Sequence, residues 1–75
     1  MKPNPDILIR MANDIGAFFI GETSPDQATQ SVLNHIRRYW DPRMRAQIVK
    51  QYQAGATGFD DHVRAAVELL ARGKP

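Results

Sequence analysis

Cysteine is absent from this chain of 75 residues. Its absence excludes disulfide bonds, catalytic thiols and iron–sulfur ligation, and it removes the usual ligands of structural zinc. Histidine is scarce as well: His35 and His62 are the two present, and neither has a second ligand-type residue at a spacing typical of a metal site. We therefore expect this chain to bind no metal, no cluster and no other cofactor.

Long apolar runs are also missing. The longest uninterrupted run covers residues 17–20, far below the roughly 20 residues that a helix needs to span a bilayer. The first six residues contain no apolar segment of the kind found in a signal peptide. We expect no membrane association and a cytoplasmic location.

The composition is that of one small globular domain, because 43% of the residues are apolar and 24% are charged. We expect a single domain over residues 1–75, with a core over about 6–71 and frayed ends at 1–5 and 72–75. Folding buries only about 60% of the surface of so short a chain, which contributes about 110 kcal/mol of apolar burial. The ordering entropy is of similar size, about 110 kcal/mol. The isolated chain is therefore expected to depend on a partner or on self-association.

Apolar residues recur at intervals of three and four along most of the chain, and no segment alternates with period two. Proline, glycine and capping residues divide this pattern into four predicted helices, over about 6–20, 25–40, 42–54 and 61–71. Ser24, Asp41 and Asp60 stand just before the last three helices, where oxygen-bearing side chains are typical N-caps. The predicted fold is all-α, a small four-helix bundle.

The predicted core follows the same periodicity. It comprises Leu8, Met11, Ile15, Phe18, Val32, Ile36, Ile48, Val49, Val67 and Leu70. The apolar arc of the first helix is wider than a surface helix requires, since Ile9, Ala12, Gly16 and Ile20 extend it. The positions left as its polar edge are Arg10, Asn13, Asp14 and Ala17. Two interpretations remain open: this helix is central to the bundle, or part of its arc docks on another chain.

Candidates for catalysis are few. Ser24 is accounted for as a helix cap, and Ser31 has no evident base and orienting group in the sequence. Asp60 and Asp61 form a pair of carboxylates, but they fall where a helix start favours acids. No glycine-rich loop follows a strand pattern. We expect that the chain is not an enzyme by itself.

The segment 35–45 is the most distinctive, because it places four arginines and two large aromatic residues around the predicted junction of the second and third helices. The candidate partner-binding residues are Arg37, Arg38, Trp40, Arg43 and Arg45. One interpretation is a solvated basic face around a core tryptophan. Another is a protein-docking surface, since arginine and tryptophan are enriched at binding hot spots.

Nucleic-acid binding is a third interpretation, because a short turn between basic helices is typical of helix-turn-helix proteins. It has less support, since Pro42 fixes the turn and the third helix offers few residues suited to base edges.

Arg43 and Arg45 lie in the first turn of that helix, where the positive end of the dipole disfavours cations. Fold stability is thus a poor reason for their presence, and partner recognition is a better one.

Three segments together resemble the delta subunit of bacterial NAD-dependent formate dehydrogenase of the molybdenum or tungsten type. They are Ile-Arg-Met-Ala-Asn-Asp-Ile at 9–15, Trp-Asp-Pro-Arg-Met-Arg at 40–45, and Gly-Phe-Asp at 58–60 leading into Val-Arg-Ala-Ala at 63–66. The likeness covers about residues 6–70, and the string at 40–45 is its most specific part.

The resemblance implies a role within a larger complex. In that family the larger subunits carry the pterin cofactor, the iron–sulfur clusters, the flavin and the NAD site. The delta subunit is a small cofactor-free component that supports assembly, cofactor maturation or stability. We therefore expect a non-catalytic subunit that contacts larger formate dehydrogenase subunits, and the alternative is a free-standing basic helical domain that binds nucleic acid.

Overall fold

The computed structural model describes residues 6–73, which form four α-helices. In chain order they are α1 (Asp6–Ile20), α2 (Pro25–Tyr39), α3 (Pro42–Gln53) and α4 (Asp61–Ala71). No β-strand occurs within this range. The all-α four-helix prediction is confirmed, and each predicted boundary agrees with the structure to within one residue. None of the helices in this range combines the length and the hydrophobicity needed to cross a membrane.

The helix starts follow from local side-chain chemistry at two of the three predicted caps. Ser24 Oγ accepts a hydrogen bond from the amide of Gln27 at 3.3 Å, and Asp41 Oδ1 accepts one from the amide of Met44 at 2.8 Å. Asp60 occupies the N-cap position of α4, but its carboxylate makes no capping hydrogen bond. The prediction that the Asp60 side chain caps α4 is therefore wrong in that respect.

Glycine closes two of the helices. Gly55 follows α3 with a φ of 90°, and its amide donates to the carbonyl of Tyr52 at 3.0 Å. Gly73 follows α4 with a φ of 70°, and its amide donates to Leu70 at 3.0 Å. Both positions need the left-handed conformation that glycine adopts without steric cost. Of the ends expected to fray, Arg72 and Gly73 thus complete α4, and residues 1–5, 74 and 75 lie outside the described range.

The core lies where α4 packs against both α2 and α3, with α1 laid mainly against α2. Its buried members are Ile9, Ala12, Val32, Leu33, Ile36, Trp40, Ile48, Phe59, Val63, Ala66 and Val67. Four predicted core residues are confirmed as buried: Val32, Ile36, Ile48 and Val67. Leu8, Ile15 and Leu70 are half-buried against this cluster, and Val49 is half-buried.

The orientation of α1 differs from the prediction. Met11 is 39% exposed and Phe18 is 66% exposed, so their assignment to the core is wrong. The inward face instead carries Ile9, Ala12 and Gly16. The wide apolar arc allowed two inward faces, and the face with the smaller residues brings the α1 backbone closer to its neighbours.

Gly16 shows how close that approach is. A Cβ atom placed on Gly16 would lie 2.7 Å from His62 Nε2 and closer still to Val63 Cγ2. Any larger residue at this position would therefore collide with the first turn of α4. The contact between α1 and α4 depends on this glycine, which is why the inward face could not be inferred from hydrophobicity alone.

Asn13 reinforces the same contact. Its side chain is half-buried and bonds the backbone of the loop that precedes α4, at Gly58 and Asp60. The prediction placed Asn13 on the polar, non-core edge of α1. Asn13 does lie outside the core, and the loop that folds over α1 offers an acceptor and a donor to its amide side chain.

Candidate protein-docking surface

The corner between α2 and α3 consists of two residues, Trp40 and Asp41. Both have extended backbone, with ψ values of 137° and 165°. A residue that precedes proline is disfavoured in helical geometry, so Pro42 ends α2 and turns the chain. Trp40 is 6% exposed and packs in the core. Of the predicted partner-binding residues, Trp40 therefore lies inside the bundle rather than on its surface.

Arg45 braces the corner from the α3 side. Its Nη1 donates hydrogen bonds to the backbone carbonyls of Arg37 and Trp40, each at 2.9 Å. Carbonyls in the last turn of a helix lack an intrahelical donor, and the negative end of the helix dipole favours a cation there. The inference that fold stability gives no reason for Arg45 is therefore wrong. Arg45 lies in the first turn of α3, and the sharp corner brings its side chain to the last turn of α2.

Arg38 and Arg43 are the exposed cations of this corner. Within residues 6–73, the side chain of neither residue takes part in a hydrogen bond or an ion pair. Arg37 is half-buried. The five predicted residues thus divide by environment. Trp40 and Arg45 hold the corner together, while Arg38 and Arg43 present guanidinium groups to solvent.

A row of four aromatic rings runs over the surface from α1 to α2. Phe18 and Phe19 meet edge to face with ring centres 5.2 Å apart, Phe19 lies 6.4 Å from His35, and His35 lies 4.7 Å from Tyr39. The ends of this aromatic row are open to solvent, since Phe18 is 66% exposed and Tyr39 is 68% exposed. Sequence reasoning did not identify this surface. Its signals were the excess width of the α1 arc and the four-residue spacing of His35 and Tyr39.

An open groove of about 320 Å³ lies beside the aromatic row. It is lined by Phe19, Ser31, Asn34, His35, Arg38 and Tyr39. Arg38 is the one Lys, Arg, Asp or Glu among these lining residues. The groove therefore combines ring surfaces, two neutral polar side chains and a single guanidinium. It adjoins the corner, because Arg38 belongs to both.

The outer face of α1 adds a second apolar region. Ile7, Met11 and Phe18 are spaced by four and seven residues, so they lie within about 40° of one another around the helix. All three are exposed. Clustered exposed apolar side chains on a small protein mark interaction sites more often than isolated ones do.

Among residues 6–73 no set of three His, Asp or Glu side chains is placed to hold a metal ion. His35 lies in the aromatic row, and the Nε2 atom of His62 is buried against Gly16. His35 thus packs among aromatic rings, and His62 lies at the contact between α1 and α4.

Comparison with known proteins gives one family. The family described as NADH-dependant formate dehydrogenase delta subunit FdsD matches residues 7–67, which is most of the chain. Comparisons with curated proteins and with solved structures give no significant match. The family match agrees with the resemblance carried by the segments at 9–15, 40–45 and 58–66. This four-helix chain therefore belongs to the delta-subunit family of NADH-dependent formate dehydrogenases.

Proposed function

We propose that the chain is a non-catalytic subunit of the formate dehydrogenase complex and that it acts through contacts with the larger subunits. The observation that carries this proposal is the kind of side chain that the bundle leaves exposed. The exposed side chains of Phe18, Tyr39, Arg38 and Arg43 belong to residue types that are enriched at protein interfaces. Arg38 and Tyr39 line the groove, Phe18 lies against Phe19 at its α1 side, and Arg43 follows the corner in the first turn of α3.

The absence of cysteine from the sequence supports a non-catalytic role, since thiolate chemistry and iron–sulfur ligation are impossible without it. Formate oxidation would then belong to the larger subunits, as the family resemblance implies. This chain would support their assembly, cofactor maturation or stability. The nucleic-acid alternative receives no support from the family match or from the geometry, because Arg45 is engaged with α2.

Within this proposal the five predicted residues act in two ways. Arg38 and Arg43 would contact an acidic surface of a larger subunit directly. Trp40, Arg45 and the carbonyl of Arg37 would act indirectly, since they fix the angle at which the two exposed guanidinium groups are presented. The cytoplasmic location and the self-association of the isolated chain stay predictions.

Co-purification tests the proposal. The chain carries an affinity tag and is produced together with the larger formate dehydrogenase subunits, and wild type is expected to retain them. Arg43→Glu should weaken this retention while leaving the fold intact. An acid in the first turn of α3 complements the helix dipole, so the variant should gain about 0.3–1 kcal/mol in stability.

Lys50→Glu is the matched control, because Lys50 is an exposed cation in the last turn of the same helix. It should lose a few tenths of a kcal/mol of stability, at least about 0.3, and retain the larger subunits. Arg43→Glu should therefore gain stability and lose binding, whereas Lys50→Glu should lose stability and keep binding. A wild-type chain that never retains a larger subunit would contradict the proposal, and equal retention by both variants would remove Arg43 from it.

A further inference from the structure

The groove beside the aromatic row has the chemistry of a site for an acidic peptide segment. We propose that it binds a segment of a larger formate dehydrogenase subunit in which an Asp or Glu carboxylate pairs with Arg38 and a neighbouring apolar side chain lies against Phe19 and Tyr39. This inference rests on the proposed function, because it assumes that the chain contacts a larger subunit. It names the surface and the chemistry that the contact uses.

Charge is the first argument for an acidic occupant. Arg38 is exposed, and its guanidinium takes part in no hydrogen bond or ion pair within residues 6–73. All the guanidinium donors are therefore available to a ligand. A guanidinium forms paired hydrogen bonds with a carboxylate, and such charge-assisted bonds are stronger than neutral ones. No carboxylate lines the groove to compete for it.

The ring surfaces are the second argument, since they select an occupant that is apolar as well as acidic. Tyr39 is 68% exposed and its ring centre is 4.7 Å from that of His35, so two adjacent rings form one face of the groove. Phe19 forms the α1 side of the same groove and is half-buried. Covering these rings removes apolar surface from water. Ser31 and Asn34 offer hydrogen bonds to the backbone of a bound segment.

A larger subunit is a better occupant than a second copy of this chain. The chain carries a net charge of +2, so electrostatic attraction favours an acidic segment over a second copy. Arg38 lines the groove and lies two residues before the corner. A partner docked at the corner therefore also reaches the groove. A second copy could still offer Glu22 or Asp26, which line the adjoining depression. The experiment below separates these two occupants.

Site-specific photo-crosslinking in the assembled complex identifies the occupant. The chain carries p-benzoylphenylalanine in place of Tyr39, is produced with the larger subunits and is irradiated, and crosslinked peptides are sequenced by mass spectrometry. We expect a crosslink to a larger subunit at a segment that contains an Asp or Glu close to an apolar residue. The same group in place of Gln53, an exposed residue at the end of α3, should not crosslink to that segment.

Binding measurements supply the second arm. Arg38→Gln should raise the dissociation constant for the larger subunits by about tenfold to a hundredfold, the range expected for charge-assisted hydrogen bonds. Lys50→Gln is the matched control, since it also removes an exposed cation from the last turn of a helix. It should change the constant by less than about twofold. Tyr39→Ala should weaken binding, with a circular dichroism melt to show that the bundle still folds.

The outcomes separate the inference from the proposed function. A crosslink from position 39 to a second copy, or to a segment without an acid, overturns the inference. A complex that forms with undiminished affinity when Arg38 and Tyr39 are replaced also overturns it, while the proposed function stands. A wild-type chain that binds no larger subunit overturns both.

Discussion

The side chain of Asn13 accepts a hydrogen bond from the backbone amide of Asp60 at 3.1 Å, although 47 positions separate them. The same side chain donates to the carbonyl of Gly58 at 2.8 Å. One amide group on α1 therefore fixes both sides of Phe59, whose ring is buried in the core. The N-terminus of α4 has no side-chain cap of its own, and a side chain of α1 holds it in place instead.

Replacing Asn13 tests that connection. Asn13→Ala should lower the free energy of unfolding by about 1 kcal/mol, since the Gly58 carbonyl and the Asp60 amide lose their hydrogen bonds to the side chain. Asn13→Asp keeps an acceptor for the Asp60 amide but sets a carboxylate oxygen against the Gly58 carbonyl, so it should lose stability as well. Urea unfolding measures both. Asp14→Ala, at an exposed neighbouring position, is the control, and a loss as large as that of Asn13→Ala would contradict the assignment.

The two aspartates at N-cap positions should differ in their contribution to stability. Asp41→Ala should cost about 1 kcal/mol, because Asp41 Oδ1 accepts the amide of Met44. Asp60→Ala should cost less than half of that, because the Asp60 carboxylate makes no capping bond. Chemical unfolding of the two variants under one condition gives the comparison. Equal losses would mean that Asp60 caps α4 in solution.

Arg45 and Arg43 should also differ in their contribution to stability. Arg45→Ala should lower stability by about 1–3 kcal/mol, since two carbonyls at the end of α2 lose a charged donor. Arg45→Lys should fall between, because an ammonium lacks the planar fork of a guanidinium. Arg43→Ala should leave the melting temperature nearly unchanged. Thermal unfolding by circular dichroism measures all three, and a stable Arg45→Ala variant would remove Arg45 from the corner.

Gly16 should tolerate no side chain. Gly16→Ala gains about 1 kcal/mol in helix propensity, but its Cβ would collide with Val63, whose branched side chain is fully buried and cannot rotate away. Overpacking of this kind costs about 1–3 kcal/mol, so a net loss is expected. The double variant with Val63→Ala should lose less than the sum of the two single variants. Strict additivity would show that the two residues do not touch.

The helices could be predicted because their ends depend on neighbouring residues. Pro42 and Asp41 determine where α2 stops and α3 starts, and Gly55 ends α3, all through contacts within a few positions. The Trp-Asp-Pro-Arg-Met-Arg string is likewise continuous in sequence, and it lies within the residues that match the family.

The errors share a different cause, which is contact between one structural element and another. Arg45 reaches back across the corner, and Asn13 meets a loop 45 residues later. The rotation of α1 depends on the close approach of α4 to Gly16, and no periodicity distinguishes a face that packs closely from one that stays exposed. Periodicity alone therefore predicts Phe18 in the core, and it does not predict the aromatic row.

The outward stripe of α1 has a consequence for how delta subunits diverge. Ile7, Met11 and Phe18 contribute little to the core, so a polar replacement at these positions changes folding hardly at all. Selection on these three positions can therefore come only from whatever covers them. Across species, we expect them to vary in step with one surface of a larger subunit, while Ile9, Ala12 and Gly16 vary in step with α4.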